Sequence, residues 1–166
     1  GEKSAVHFYE RDCSIQRRFQ KIIEESPAPK VEQSIIKEMA EMSVNFASDQ
    51  KYEGAGTIEF IYDIDQKKFY FLEMNTRIQV EHPVTEEITG VDLVELQIKY
   101  ALNLDSTSIL QSDISKNGNS LECRLYAEDP KKNFLPSPGK ITKLRFPEVN
   151  KDIRLDIGVD EGDEIS

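Results

Sequence analysis

Tryptophan is absent from this 166-residue chain, and cysteine and histidine occur only twice each. The two thiols, Cys13 and Cys123, lie far apart and form no metal-spacing pattern. They read as free cysteines of a reducing compartment rather than as a disulfide. Basic residues are outnumbered, 21 Lys and Arg against 31 Asp and Glu, for a formal net charge of −10. That balance argues against nucleic acid or an anionic membrane as a partner, although a local anion site can oppose the total. No apolar run approaches the roughly 20 residues of a membrane span. The opening Gly1-Glu2-Lys3-Ser4 lacks the basic and apolar pattern of a secretory signal. A cytoplasmic location is expected, with an organelle matrix as the alternative. Glycine is sparse, 8 residues in all, and nowhere forms a phosphate-covering loop; Gly54-Ala55-Gly56 marks only a turn.

What is present is an ordinary globular balance, 38% apolar and 31% charged, with enough length for a real core. Ala5–Tyr9 alternates loosely and predicts a strand. From Arg11 to Glu25 the pattern is ambiguous. Ile15, Phe19, Ile22 and Ile23 fit a helical face, yet residues 20–25 could equally be a strand that stops before Pro27 and Pro29. Val31, Ile35, Met39, Met42 and Phe46 recur at spacings of three and four and predict an amphipathic helix from about Val31 to Ala47. Thr57–Tyr62 and Phe69–Met74 are apolar runs separated by a short polar linker, a β-hairpin signal. Polar residues then alternate through Glu81, and His82-Pro83 is expected to end the extended run. Thr85 and Asp92 are candidate helix N-caps; Asp92 with Glu95 has capping-box spacing, and Leu93, Leu96, Tyr100 and Ala101 would form that helix's buried face. A polar stretch follows, and then three expected short strands, Leu121–Tyr126, Ile141–Phe146 and Ile153–Ile157.

The chemistry concentrates between residues 57 and 81. Glu59 and Glu73 each interrupt an apolar strand, where a carboxylate is costly unless paired or metal-bound. A hairpin closing over Asp65-Gln66-Lys67 would set them directly opposite, about 5 Å apart, where two anions repel by about 3 kcal/mol at an effective dielectric near 20. A divalent cation would reverse that repulsion, and oxygen ligands favour Mg2+ or Mn2+ with phosphate oxygens completing the shell. A one-residue change of register would separate the pair and leave two exposed edge-strand glutamates. Beyond the hairpin, Glu73, Asn75, Arg77, Gln79 and Glu81 occupy every second position. If extended, they would line one face with metal-ligand types, then a guanidinium suited to a planar oxyanion, then a carboxylate able to act as a general base. A solvated strand face is the alternative.

The string EMNTRIQVEHPVTE from Glu73 to Glu86 resembles the signature of biotin carboxylases, within the ATP-grasp superfamily. Three further segments resemble the same family in order: ERDCSIQRR at Glu10–Arg18 followed by Gln20-Lys21; GAGTIEF at Gly54–Phe60; and ECRLYAEDP at Glu122–Pro130 with FLPSPG at Phe134–Gly139. Carbamoyl-phosphate synthetase halves share Glu-x-Asn-x-Arg but lack the Gln79–Pro83 sequence found here.

The resemblance implies an ATP-dependent ligase that carboxylates biotin through carboxyphosphate. Glu59, Glu73 and Asn75 would hold metal, two Mg2+ or Mn2+ ions bridging the phosphates of ATP. Gln16 and Glu73 would lie at the nucleotide. Lys21, Arg77, Gln79 and the backbone of Val80 would cradle bicarbonate, Glu81 would deprotonate it, and Arg124 would stabilise the biotin enolate. Read alone, Lys21 could be a solvated lysine, and Arg124 could simply pair with Glu122 on its own strand face. His82 reads as structural, and His7 as packed or exposed. Phe19 stands where the family shows His or Asn, which would weaken a contact to ATP.

The implied fold class is α+β. Residues 1–103 would form the second half of an ATP-grasp domain, an antiparallel sheet with packed helices. Residues 104–117 would be a linker, and 118–166 the start of the β-rich C-terminal domain. The family's glycine-rich lid is not among these residues, so an internal fragment is expected, inactive by itself. Implied partners are a biotin carboxyl carrier protein or domain, a carboxyltransferase and a second copy of the carboxylase. The final acceptor stays open among acetyl-CoA, propionyl-CoA, methylcrotonyl-CoA and pyruvate; acetyl-CoA carboxylase, and with it fatty acid biosynthesis, is the first expectation on frequency.

Overall fold

The computed structural model describes residues 5–104 and 109–165. The first four residues and positions 105–108, which fall in the expected linker, lie outside the described residues. Two compact units are present, Gly1–Arg124 and Leu125–Ser166.

The ambiguous segment is a β-hairpin, β1 (Asp12–Arg17) and β2 (Gln20–Ser26). Arg17 pairs with Gln20, and Arg18 and Phe19 turn the chain with φ of 52° and 63°. A two-residue turn with positive φ at both positions has the twist that a hairpin needs. The apolar residues that also fit a helix are decided by tertiary pairing, because β2 is the central strand. It pairs antiparallel with β5 (Ser120–Cys123), in the order β1-β2-β5. The expected strand at Ala5–Tyr9 does not form. That segment is tied instead by side chains: the His7 N–H donates to Gln111 Oε1 at 2.8 Å, and the Tyr9 hydroxyl to the Ile114 carbonyl at 2.9 Å.

Helix α1 (Gln33–Asp49) appears near its expected place, but its inward stripe is rotated. Ile36 is the buried residue, while Met42 and Phe46 are exposed, and Phe46 meets the Phe71 ring at 5.6 Å between centroids. Strands β3 (Thr57–Asp63) and β4 (Lys68–Asn75) form the second sheet. Their loop is Ile64–Lys67, one residue longer than expected, and Leu72 is bulged, so the two differences cancel. Glu59 pairs with Glu73 as expected.

The alternation after Asn75 is not a strand; residues 76–81 are irregular. His82-Pro83 begins a helix, α2 (His82–Thr89), instead of only ending an extended run. Proline in a first helical turn gives up an N–H that has no intrahelical acceptor there, so it is well placed. Thr85 is therefore inside α2 and not a cap. Helix α2 is the element with the most buried residues, Val84, Thr85 and Ile88 among them, and it packs on β2 and β5. Gly90, at φ 69°, closes it in the left-handed conformation that favours glycine. Helix α3 (Leu93–Ala101) is capped as expected, with Asp92 accepting from the Glu95 N–H at 2.7 Å. The Leu93 N–H donates to Glu86 Oε1 at 2.7 Å, which joins α3 to α2. Ala101 is exposed, outside the helix's half-buried face.

In the second unit, β6 (Glu128–Asp129) pairs with β7 (Leu135–Pro136), and β8 (Gly139–Lys140) with β9 (Glu164–Ile165). The strands expected at Ile141–Phe146 and Ile153–Ile157 do not form. Ile141 makes only single exchanges with Gly162 and Asp163, and Ile153 a lone bridge to Asn150. Apolar spacing supplies a strand's face, but not the continuous partner a ladder requires. Among the described residues no helix is long and apolar enough to cross a membrane. The fold is α+β, with antiparallel sheets and helices, as expected.

Candidate active site

The site lies within the first unit, where three elements converge: β2 brings Lys21, β3 brings Glu59, and the turn into α2 brings Gln79 and Glu81. Lys21 Nζ sits 2.8 Å from Glu59 Oε1 and 2.7 Å from Glu81 Oε1. Glu81 is 2% exposed and Gln79 5%. The other Glu81 oxygen, Oε2, accepts from Arg124 Nη2 at 2.9 Å. One cation therefore faces each oxygen of the buried carboxylate. Burial opposes the charge on Glu81, but the hydrogen bonds from Lys21 and its own backbone, with the charges of Lys21 and Arg11, hold its pKa below the ordinary value. Burial likewise opposes the charge on Lys21, and the bonds to Glu59 and Glu81 outweigh it, raising its pKa. Both groups are thus charged near neutrality. A candidate base must be ionised to accept a proton.

Glu59 is the hub of the other half. Its Oε1 accepts from Lys21, from Gln79 Nε2 at 2.8 Å and from Asn75 Nδ2 at 3.1 Å. The same Asn75 amide donates to Glu73 Oε1 at 3.0 Å, so it bridges the two opposed carboxylates. Among the described residues there is no cluster of three or more His, Cys, Asp or Glu able to hold a metal by themselves. Two carboxylates and an amide are hard oxygen donors that suit Mg2+ or Mn2+ when phosphate oxygens supply the remaining ligands.

Some of the expected site residues stand apart. Arg77 is exposed and folds back, with Nη1 3.2 Å from the Ile78 carbonyl and Nη2 3.4 Å from Asn75 Oδ1. It does not join the Lys21–Gln79–Glu81 group, because strand geometry ends at Asn75. Val80 is exposed on the same irregular turn. Gln16 is exposed and donates to the Cys13 carbonyl at 3.0 Å. His82 Nδ1 lies 2.9 Å from the Gln79 carbonyl, a structural contact that shapes the turn.

Two participants were missed. Arg11 ties the site's elements together, with Nη2 2.9 Å from Gln79 Oε1 and 3.2 Å from Thr57 Oγ1, and Nη1 2.9 Å from Thr85 Oγ1. It lies in the Glu10–Arg18 segment that resembles the family, but nothing local assigns it a role in the site. Glu24 is fully buried, at 0% exposure, and contacts Arg124. It could have been found by the argument applied to Glu59, since it too is a carboxylate beside apolar strand residues.

A lysine and an arginine on one buried carboxylate, beside a hairpin that opposes two more, make a candidate site for anions and divalent cations. Residues 1–108 match the family described as "Carbamoyl-phosphate synthase L chain, ATP binding domain", and residues 122–166 match "Biotin carboxylase C-terminal domain". With both models matched in order along the sequence, the chain belongs to the biotin carboxylase family. It is 50% identical over 153 residues to biotin carboxylase 1 of Bacillus subtilis, covering 92% of this chain and 34% of that protein. It is 49% identical over 163 residues to the mitochondrial methylcrotonoyl-CoA carboxylase subunit alpha of Mus musculus, covering 98% of this chain and 22% of the relative. Among solved structures it matches the biotin carboxylase domain dimer of Hydrogenobacter thermophilus 2-oxoglutarate carboxylase, in complex with MgADP, ADP and bicarbonate. That match has a TM-score of 0.89 and 47% identity, over 97% of this chain and 35% of the other. The chain thus spans about a third or less of the curated relatives it matches.

Proposed function

We propose that these residues form the bicarbonate and metal wall of a biotin carboxylase active site, within a longer carboxylase that also supplies an adenine pocket and a lid. The observation that carries this reading is the Glu81 carboxylate, buried and ionised between Lys21 and Arg124. Lys21 and Gln79 meet the bicarbonate oxygens, and Arg77 and the Val80 N–H complete the cradle once Arg77 turns from its backbone contact. Glu81 takes the bicarbonate proton as the oxyanion attacks the terminal phosphate of ATP and ADP leaves. The carboxyphosphate formed breaks into CO2 and phosphate. The phosphate takes the proton from biotin N1, and the biotin enolate captures the CO2. Arg124 faces the negative charge that develops on the ureido oxygen of biotin, a fixed cation placed where charge appears. Glu59, Glu73 and Asn75 would hold divalent ions, which would neutralise charge on the phosphates when bound. Gln16 lies toward the nucleotide.

The relatives act in several carboxylases, so the biotin step is what they share. The acceptor, acetyl-CoA or another, is chosen by a carboxyltransferase partner, and biotin arrives on a carrier domain. A second copy of the carboxylase and a cytoplasmic or matrix setting belong to the same proposal. The test is bicarbonate-dependent phosphate release from ATP by the full-length carboxylase, with and without free biotin. Stimulation by biotin supports the reading; release indifferent to biotin points to another bicarbonate kinase. The 166-residue chain alone is expected to show no turnover.

A further inference from the structure

Behind Arg124, β2 and β5 set two acids face to face: Glu24 is the direct cross-strand partner of Glu122. Glu24 is wholly buried, and neither of its carboxylate oxygens takes a hydrogen bond; Glu122 Oε2 is also buried without one. A buried carboxylate without hydrogen bonds is expensive unless a cation meets it. The cation is Arg124, one residue past the end of β5, where its N–H still donates to the Ile22 carbonyl at 3.0 Å and its side chain shares the Glu122 face. Its Nη2 lies against Glu24 Oε1, and the same nitrogen reaches Glu81 Oε2 at 2.9 Å. The guanidinium is held from two sides, by the candidate base in front and by Glu24 behind.

We propose that Glu24 is the positioning residue of Arg124, and that Glu122 carries the proton that leaves the Glu24–Glu122 pair with a single negative charge. Two ionised carboxylates at directly opposed strand positions would repel, and burial sharpens that repulsion. The charge belongs on Glu24, which touches the guanidinium. Burial, and then the charge of Glu24, push the Glu122 pKa up to about 7. The other groups facing the pair are Glu81 and His82 at the start of α2, with Cys13 on β1. Burial, opposed by the charge of Lys21, pushes the Cys13 thiol up to about 12, so it stays protonated. Without Glu24, the guanidinium loses its rear anchor and turns toward Glu81, away from the substrate that it must address.

This proposal rests on the biotin-facing role given to Arg124, and the test separates the two. The full-length carboxylase is assayed for ATP cleavage with bicarbonate alone, and for biotin-stimulated carboxylation, as wild type, Glu24→Gln and Glu122→Gln. Glu24→Gln is expected to lower biotin-dependent kcat by roughly 10–100-fold, the usual cost of losing a partner that orients an active group, while the biotin-independent rate changes less than threefold. Glu122→Gln keeps biotin-dependent kcat within twofold at pH 6.5 and removes a step near pH 7 from its pH profile. Equal loss of both activities in Glu24→Gln marks a structural role only and overturns the proposal. So does an unchanged pH profile in Glu122→Gln, which decides the matter if Glu24→Gln fails to fold. A wild type whose ATP cleavage ignores biotin overturns the functional reading beneath it.

Discussion

Glu59 and Glu73 are direct partners across β3 and β4, and one bulged residue, Leu72, sets that alignment. The longer loop, Ile64–Lys67, would otherwise bring Glu59 opposite Leu72. The bulge restores the pair and bridges it with Asn75. In Glu59→Gln the hairpin is kept but the site loses a hard anionic ligand. The divalent-ion concentration for half-maximal ATP cleavage should rise by at least the roughly 10–100-fold typical of losing an outer-shell partner. A manganese titration of the full-length carboxylase measures it, and an unmoved midpoint would remove Glu59 from the metal set.

Phe19 is 99% exposed and sits in the turn at φ 63°. A bulky side chain is strained in that conformation, whereas Asn accepts it readily. Phe19→Asn should therefore stabilise the chain by about 0.5–1 kcal/mol, read as a melting temperature a few degrees higher. A lower melting temperature would show that the Phe19 ring is held by contacts outside these residues. The ATP KM of the full-length enzyme should fall as well, since Asn restores a donor near the nucleotide.

Stability should carry the signature of Glu122. Its folded pKa of about 7 lies above the ordinary 4.5, first through burial and then through the Glu24 charge. The native chain holds a proton that the unfolded chain releases, so stability falls as pH rises from about 4.5 to about 7. Glu81 acts in the opposite sense: its lowered pKa gives stability at neutral pH that is lost on acidification. Glu122→Gln should be more stable than the parent above pH 7 by about 1 kcal/mol, discounted because Glu122 is only half-buried. Urea midpoints at pH 5 and pH 8 test this; equal effects at both values would contradict it.

Much of the site was legible because its chemistry is written locally. The hairpin, its opposed carboxylates and the Asp92 cap all follow from spacing within a few residues. The rest was not local. The β1–β2 segment fitted a helix and a strand equally well, and the choice is made by β5, which pairs with β2 from about a hundred residues away. The polar alternation from Glu73 to Glu81 suggested one extended face. The chain instead leaves the strand at Asn75 and turns, burying Gln79 and Glu81 while leaving Arg77 outside. Arg11 was missed for the same reason, since its importance lies in partners far along the chain, whereas Glu24 could have been found by the local argument that found Glu59.

The most direct measurement is on Glu81. In Glu81→Gln the side chain keeps its shape and can still accept from Lys21, but it can no longer take a proton. Removing a general base costs roughly 10²–10⁴-fold. Biotin-stimulated, bicarbonate-dependent phosphate release by the full-length carboxylase should therefore fall by at least a hundredfold, with the fold intact by circular dichroism. A folded Glu81→Gln enzyme that retains its parent's rate would contradict the account.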